Sequence, residues 1–318
     1  MEQRRFGNLG EVSALTLGGG GTGQVWGPTN QEEAVATVKA AVDLGITFLD
    51  AAPTYGDGKA EDVIGKAFGG RLPDGVWVST KCRLGNPPPG EVLTRLRASL
   101  SDSLARMKLE RVDFFFLHNM IVADEDQARY DGTPRTLFVE SVIPAFETLK
   151  KEGLIGAWGI TGIGVPDAIL ETIESDPPPQ AIQVITNLLD SPGALKRFEG
   201  PAKPREIAAA AHRRGVGVMG IRAVQAGALT SEFDRQLPED HPDLADYRRA
   251  AAFRDLSREL GESPAALAHR YALSMDGVAT VILGVKNRAE LEECVEAEAK
   301  GRLAPEVMAR IDGTAVRG

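Results

Sequence analysis

The chain has 318 residues, of which 43% are hydrophobic and 25% charged, a balance that allows a sizeable buried core. Its 36 basic and 45 acidic residues give a net charge of −9, and the lack of a basic stripe argues against a nucleic-acid-binding protein. The N-terminus lacks the apolar core of a secretory signal, no run of residues is long enough to cross a bilayer, and the two cysteines lack metal-binding spacing. We therefore expect a cytoplasmic protein that does not associate with membranes.

Eight short apolar runs alternate with longer stretches of helical periodicity along the chain. The runs are mostly continuous, as in the strands of a parallel sheet that helices cover on both faces. They lie at residues 14–17, 47–49, 76–80, 112–117, 157–160, 181–185, 217–221 and 278–283. Eight alternations without a break in composition predict an α/β fold, a (β/α)8 TIM barrel formed by residues 1–318 as a single domain. Six or seven strands with a different closure would give a similar pattern.

The segments between the runs carry helix signals. Residues 91–107 place an apolar side chain at every third or fourth position, which predicts an amphipathic helix. Asn30 is suited to cap the helix that follows it, with Glu33 as the reciprocal partner of a capping box. Gly153 predicts the end of a helix over residues 140–152.

The connections differ in length according to their direction. Links from helix to strand have only a few residues, whereas long segments leave the strands at residues 18–29, 119–138, 186–203 and 222–244. Barrels of this kind build their active sites from the loops that follow the carboxyl ends of the strands. The asymmetry therefore predicts a functional site at that end of the barrel.

Four residues with suitable chemistry lie at or just after three consecutive predicted strands. Asp50 and Tyr55 follow the second strand, Lys81 follows the third, and His118 follows the fourth. Because consecutive strands are neighbours in a barrel, we expect these side chains to converge. A phenol with a pKa near 10 is a poor acid at neutral pH, and we expect the Lys81 ammonium to lower the pKa of Tyr55 while Asp50 keeps Lys81 charged. Such a group of side chains can donate a proton.

Several segments resemble the aldo-keto reductase family, in the family's order and over nearly the whole chain. They match its N-terminal β-hairpin, its first signature, its next two catalytic strand ends and its fifth strand. The matching segments are residues 6–10 (FGNLG) with 12–13 (VS), 48–56 (FLDAAPTYG) with 61–65 (EDVIG), 78–81 (VSTK), 116–118 (FLH) and 153–161 (GLIGAWGIT). The ordered set is a specific signal, although each segment alone is not.

The resemblance implies a catalytic role for the four converging residues. Tyr55 would be the general acid in reduction and the general base in oxidation, with Lys81 and Asp50 tuning its acidity. His118 would hydrogen-bond the substrate carbonyl, and we expect the adjacent Asn119 to contact the substrate as well. The family uses a nicotinamide cofactor as its hydride carrier and no metal.

The resemblance also implies a nicotinamide site at the ends of the fifth to seventh strands. Thr161 stands where the family usually has a serine that binds the carboxamide, although glycine replaces the asparagine that follows. Gln183 matches the family's glutamine for the same amide, and Asp50 would contact the cofactor as well. The family often stacks an aromatic residue on the nicotinamide after the seventh strand, where Ile221 and Arg222 would instead offer an aliphatic contact or an arginine plane.

The run GGGGTG at residues 18–23 contains the glycine spacing of a Rossmann dinucleotide-binding motif. Such a motif must open directly into a helix, and residues 24–28 intervene, so we interpret the run as the first loop of the barrel. Gly21 and Thr22 would then lie near the nicotinamide ribose. Trp26 would either line the substrate pocket or anchor the loop to the surface.

The segment after the eighth strand would bind the adenosine half of the cofactor. Gly284 and Lys286 precede a predicted helix over residues 288–296, whose N-terminus is suited to cradle a phosphate. Glu290 occupies the position at which the family often has an arginine for the 2′-phosphate, and Glu293 would contact the adenine end. A carboxylate disfavours a 2′-phosphate but can accept a hydrogen bond from a free 2′-hydroxyl. The resemblance to the family predicts NADP(H) as the cofactor, with NAD(H) as the alternative.

The sequence thus predicts an NAD(P)H-dependent oxidoreductase that reduces small-molecule aldehydes or ketones. An aldose dehydrogenase working in the oxidative direction is an alternative, which residues 52–58 (APTYGDG) favour by resemblance. A barrel lyase would use Lys81 to form a Schiff base and would leave Asp50 and Tyr55 without a role. A cofactor-binding regulatory subunit is a further alternative. The sequence carries no signal for the physiological substrate or the oligomeric state.

Overall fold

The computed structural model describes residues 1–315 and 317, and its centre is a closed barrel of eight parallel strands. The strands within these described residues are β1 (Gln3–Arg5), β2 (Glu11–Ser13), β3 (Leu15–Gly18), β4 (Phe48–Asp50), β5 (Trp77–Cys82), β6 (Val112–Leu117), β7 (Met120–Val122), β8 (Gly132–Pro134), β9 (Ile155–Thr161), β10 (Ala181–Ile185), β11 (Gly217–Ile221) and β12 (Thr280–Leu283). Around the barrel the order is β3-β4-β5-β6-β9-β10-β11-β12, and β12 pairs with β3 to close it.

Helices follow the barrel strands along the chain. They are α1 (Gly19–Thr22), α2 (Gln31–Asp43), α3 (Lys59–Phe68), α4 (Val92–Met107), α5 (Arg135–Leu137), α6 (Ile143–Lys151), α7 (Pro166–Ile173), α8 (Pro204–Arg213), α9 (Pro242–Arg249), α10 (Ala251–Glu259), α11 (Pro264–Ser274), α12 (Arg288–Ala299) and α13 (Pro305–Thr314). A π-helical turn, Phe138–Val142, joins α5 to α6. Across residues 1–315 and 317, no helix combines the length and hydrophobicity that a membrane-spanning segment requires.

The predicted (β/α)8 barrel is confirmed, and each of the eight predicted strands is present with ends that differ by no more than a few residues. The largest differences at a single strand end are two residues, at the end of β5 and at the starts of β9 and β12, of which β12 begins at Thr280. The smaller shift of β4 is relevant to the site, since it makes Asp50 the last residue of that strand.

An N-terminal hairpin of β1 and β2 closes the amino end of the barrel. The turn that joins its two strands inserts Phe6, whose ring lies 6.0 Å from that of Phe48 and 5.6 Å from that of Phe114, both in edge-to-face arrangements. A side-chain carbon on Gly217, at the start of β11, would lie 2.6 Å from the Phe6 ring, so a glycine is needed there. With the amino end filled by aromatic side chains, a ligand has room at the carboxyl end.

The helix signals are confirmed with one correction. The side chain of Asn30 accepts a hydrogen bond from the backbone N–H of Glu33 at 2.8 Å, and Gly153 ends α6 with a left-handed φ of 78°. The reciprocal half of the capping box is wrong, because the Glu33 carboxylate binds the guanidinium of Arg288 at 2.9 Å. Glu33 therefore ties α2 to the start of α12.

Candidate active site

The four residues with catalytic chemistry converge at the carboxyl end of the barrel. Asp50 ends β4, Lys81 lies within β5, His118 directly follows β6, and Tyr55 lies in the turn between β4 and α3. A cavity of about 560 Å³ opens there, and Asp50, Tyr55 and His118 line it. Lys81 is fully buried behind them.

Lys81 is the centre of this group. Its Nζ donates hydrogen bonds to Asp50 Oδ2 at 2.6 Å, to the carbonyl oxygen of Ala51 at 2.9 Å and to Tyr55 Oη at 3.2 Å. Burial acts to lower the pKa of Lys81, but the interactions and hydrogen bonds with Asp50 and Tyr55 outweigh it and leave the pKa above its usual value. The three contacts occupy all three ammonium protons, so Lys81 is held as a fixed cation.

Asp50 is buried, and both of its carboxylate oxygens accept hydrogen bonds. Its Oδ1 accepts hydrogen bonds from Ser79 Oγ at 2.7 Å and from Gln183 Nε2 at 2.8 Å, while Oδ2 receives Lys81. A buried ion pair persists only when further hydrogen bonds satisfy both partners. Ser79 was missed in the sequence, although it lies two residues before Lys81 on the same strand and therefore on the same face.

The acidity of Tyr55 differs from the sequence-based expectation. Burial raises its pKa above the ordinary value of 10, the Lys81 ammonium lowers it, and the Asp50 carboxylate raises it again. The ammonium acts in the expected direction, but the expected net lowering is wrong because burial is the larger effect. The Tyr55 phenol is therefore protonated at neutral pH. Since its oxygen accepts from Lys81, its own proton is available to a group in the cavity.

His118 is an uncharged member of the group. Burial, followed by the positive charges of Lys81 and Arg83, lowers the pKa of His118 to about 3. Its ring meets the Tyr55 ring edge-to-face at 5.7 Å, and its Nδ1 lies 3.4 Å from Thr54 Oγ1. A neutral imidazole carries one donor and one acceptor nitrogen, so His118 can orient an oxygen in the cavity without adding charge.

The residues assigned to the nicotinamide half line the same cavity, namely Thr161, Gln183, Ile221 and Arg222. The Thr161 hydroxyl donates to the carbonyl oxygen of Leu117 at 3.0 Å. The guanidinium of Arg222 is buried and donates to Asp243 Oδ1 and to Gln225 Oε1, both at 2.8 Å. Those contacts hold Arg222 within the protein, so of the two expected replacements for an aromatic ring the aliphatic Ile221 is the better placed.

The first loop contributes to the cavity through different residues than expected. Gly18, Gly20 and Trp26 line it, whereas Gly21 and Thr22 do not. Gly21 packs against the loop after β12, since a side-chain carbon there would lie 1.9 Å from the Val285 carbonyl oxygen. Trp26 lines the cavity, and its indole also packs on Gly20.

Asn119 does not line the cavity, which leaves its expected substrate contact without structural support. Its side-chain oxygen accepts hydrogen bonds from the backbone N–H groups of Leu84 and Gly85. Its amide nitrogen donates to Met120 O at 3.0 Å and to Thr133 Oγ1 at 2.7 Å. Through these four hydrogen bonds, Asn119 joins the loop after β5 to the strands β7 and β8.

The cavity continues to the start of α12, where Gly284, Lys286, Glu290 and Glu293 line it. Glu290 Oε2 accepts from the Lys286 backbone N–H at 2.8 Å, and its Oε1 lies 3.4 Å from Lys286 Nζ. Lys286 Nζ also contacts Asp234 Oδ2 at 3.1 Å. The single lysine is therefore shared by two carboxylates.

The N-terminus of α12 differs from the predicted phosphate cradle. The backbone N–H groups of Lys286, Arg288 and Glu290 donate to the side chains of Glu290, Glu33 and Asn287, respectively. Two of the three acceptors are carboxylates, which already provide the negative charge that a helix N-terminus favours. The sequence could not reveal this, because Glu33 is 255 residues away from Arg288.

Sequence and structure comparisons relate the chain to known proteins. The sequence model of the aldo/keto reductase family matches residues 14–315. The L-galactose dehydrogenase of Arabidopsis thaliana is 30% identical over 310 residues, covering 93% of this chain and 88% of that protein. The D-threo-aldose 1-dehydrogenase of a Pseudomonas species is 28% identical over 313 residues, covering 90% and 89%. An aldo-keto reductase from Bacillus halodurans, solved in its holo form, has a TM-score of 0.75 at 25% identity over 100% of this chain and 97% of that one.

Proposed function

The chain belongs to the aldo/keto reductase family and is an NAD(P)-dependent oxidoreductase of carbonyl and alcohol groups, and we propose that Tyr55 is its general acid and base. The observation that supports this role is the 3.2 Å contact between Lys81 Nζ and Tyr55 Oη beside the cavity. In reduction, Tyr55 gives its proton to the substrate oxygen. In oxidation, the same oxygen removes the hydroxyl proton.

The other residues of the group support this proton transfer. Lys81 stabilises the phenolate that Tyr55 becomes, and Asp50 balances the charge of Lys81. Neutral His118 positions the substrate oxygen next to Tyr55, and the two donors together stabilise a developing alkoxide. The chemistry that a bound nicotinamide cofactor supplies is hydride transfer to or from the substrate carbon.

The cavity suits a nicotinamide dinucleotide in size and in the residues along it. Its volume of about 560 Å³ lies within the range of small-molecule and cofactor sites, about 300–1,000 Å³. Gln183 and Thr161 would hold the carboxamide near Tyr55, with Ile221 against the ring. Lys286 would face the phosphates at the other end.

We propose NAD(H) as the preferred cofactor, in place of the NADP(H) that family habit suggests. A 2′-phosphate at the start of α12 would meet the carboxylates of Glu290 and Asp234, which line the cavity and already share Lys286. Like charges at such distances repel, whereas a free 2′-hydroxyl can donate to Glu290.

We propose aldoses as the substrate class, oxidised at the anomeric hydroxyl group to a lactone. Support comes from the two sugar dehydrogenases that match over nine-tenths of the chain, an L-galactose and a D-threo-aldose dehydrogenase.

Both cysteines, Cys82 and Cys294, are unpaired and buried, which suits work in the reducing cytoplasm.

The test is NAD⁺ reduction, followed by absorbance, with a panel of L- and D-aldoses and with simple aldehydes in the reverse direction. We expect aldose-dependent turnover with NAD⁺ that Tyr55→Phe abolishes while cofactor binding persists. A lyase would instead be trapped on Lys81 by borohydride in the presence of a carbonyl substrate. Tight cofactor binding without turnover of any carbonyl or aldose would indicate a regulatory subunit.

A further inference from the structure

The cavity reaches beyond the start of α12 into the groove between α11 and α12. There it is lined by Ser263, Ala265, His269, Glu293 and Cys294. Under the proposed function, on which this inference rests, the redox end of the dinucleotide lies at the barrel mouth beside Tyr55. The purine base at its other end then lies in this groove.

His269 is 94% buried, and its protonation state follows from one contact. Its Nδ1 lies 2.9 Å from the carbonyl oxygen of Ala265, one helical turn earlier. A carbonyl oxygen can only accept, so Nδ1 carries the proton in that hydrogen bond. Burial lowers the pKa of His269 and keeps the ring neutral. Nε2 is therefore an unprotonated acceptor on a side chain that lines the cavity.

The Nε2 atom of His269 receives only a weak contact from its neighbour Cys294. The Sγ of Cys294 lies 3.9 Å from Nε2, and burial raises the pKa of the Cys294 thiol so that it stays protonated. A thiol is a weak donor, and this distance is long even for sulfur. Beside it, Ser263 Oγ donates to Glu293 Oε1 at 2.6 Å and holds that carboxylate at the cavity. The groove thus presents two acceptors, His269 Nε2 and the Glu293 carboxylate.

We propose that His269 determines which purine base the dinucleotide site accepts. Its Nε2 accepts a hydrogen bond from the exocyclic amine of a 6-aminopurine, which adenine carries. A 6-oxopurine presents an oxygen acceptor at the same place and leaves Nε2 facing another lone pair. The site therefore selects adenine over hypoxanthine through one acceptor nitrogen.

The test compares NADH with reduced nicotinamide hypoxanthine dinucleotide. The purine of the second compound carries an oxygen in place of the amine at position 6, and its N1 is protonated. Dissociation constants come from quenching of tryptophan fluorescence in the full chain. We expect wild-type protein to bind NADH about tenfold more tightly, the effect of one well-made hydrogen bond. His269→Leu removes the acceptor and brings the ratio close to one by weakening NADH. His269→Gln carries an amide that can turn to either base, so it lowers the ratio while NADH affinity is largely kept.

Cys294→Ala is the matched control, because it changes the other buried side chain of the groove and leaves Nε2 in place. It keeps the preference for NADH, and thermal melting checks that each variant is folded. Equal affinities in wild-type protein, or an unchanged preference in folded His269→Leu, would overturn the role of His269. In those cases the protein would still turn over substrate with NAD⁺. If the proposed function itself were wrong, neither dinucleotide would bind or support turnover.

Discussion

The Nζ of Lys81 lies 3.2 Å from the Oη of Tyr55, and an ammonium can only donate in that contact. The phenol oxygen is thus an acceptor towards the protein and a donor towards the cavity. Two opposing effects act on it, since burial raises the pKa of Tyr55 and Lys81 lowers it. Because the effect of burial is stronger, the pKa lies above its ordinary value and Tyr55 carries its proton at neutral pH, as the proposed role in reduction requires.

Tyr55→Phe removes this proton while keeping the ring that packs against His118 at 5.7 Å. We expect kcat to fall by about 10²–10⁴-fold in both directions, the usual contribution of a positioned acid or base. NADH affinity, measured by fluorescence quenching, stays within about twofold because the ring remains in place. A variant that binds NADH normally and keeps wild-type kcat would show that another group moves the proton.

The pH dependence of the two directions should differ. Oxidation needs Tyr55 ionised, and because its pKa is raised, the ionised fraction grows about tenfold per pH unit throughout the neutral range. We therefore expect log kcat for oxidation to rise with a slope approaching one between about pH 7 and 9 if proton removal limits the rate, while reduction stays nearly flat.

His118 adds no inflection to these profiles above pH 5, since its pKa is lowered to about 3. Initial rates in both directions across this pH range measure the effect, and Tyr55→Phe serves as the control that loses the slope. An inflection near pH 6–7 that disappears in His118→Gln would contradict a permanently neutral imidazole.

The sequence was sufficient for the barrel and for grouping the four residues that we propose as catalytic. Continuous apolar runs such as residues 112–117 and 181–185 coincide with β6 and β10, because a strand covered on both faces must be apolar throughout. Asp50, Lys81 and His118 could be grouped because neighbouring strands place their carboxyl ends side by side. Ser79 follows from the same logic, since β4 and β5 pair Asp50 directly with it.

The sequence was insufficient wherever a contact joins distant loops. Arg222 looks available for a ligand in the sequence, yet Asp243 binds its guanidinium from a helix 21 residues later. Glu33 looks like a capping partner but reaches Arg288. The net pKa of Tyr55 also could not be predicted, because the extent of burial is a property of the folded chain.

The choice between NAD(H) and NADP(H) can be tested at Glu290. Glu290→Gln removes one negative charge but can keep the bond from the Lys286 backbone N–H, so α12 should stay capped. We expect NADPH to bind about tenfold more tightly while NADH changes little, since only NADPH carries the 2′-phosphate. Glu292→Gln, on the same helix but exposed and away from the cavity, is the matched control and should change neither affinity. Unchanged NADPH binding in Glu290→Gln would mean that the 2′-position lies elsewhere.

The buried ion pair allows stability and catalysis to be separated. Lys81 and Asp50 have side chains that are 0% and 2% exposed, so Lys81→Met leaves a buried carboxylate without its cation. We expect a loss of about 3–5 kcal/mol in the free energy of unfolding, measured by urea denaturation.

Adding Asp50→Asn to Lys81→Met should restore most of that stability. The neutral amide removes the unpaired charge, and its oxygen can still accept from Ser79 and Gln183 as Asp50 Oδ1 does. Activity should not return, because Tyr55 would still lack the cation that stabilises its phenolate. If the double variant recovered turnover together with stability, Lys81 would be needed for folding alone, and Tyr55 could release its proton without a charged neighbour.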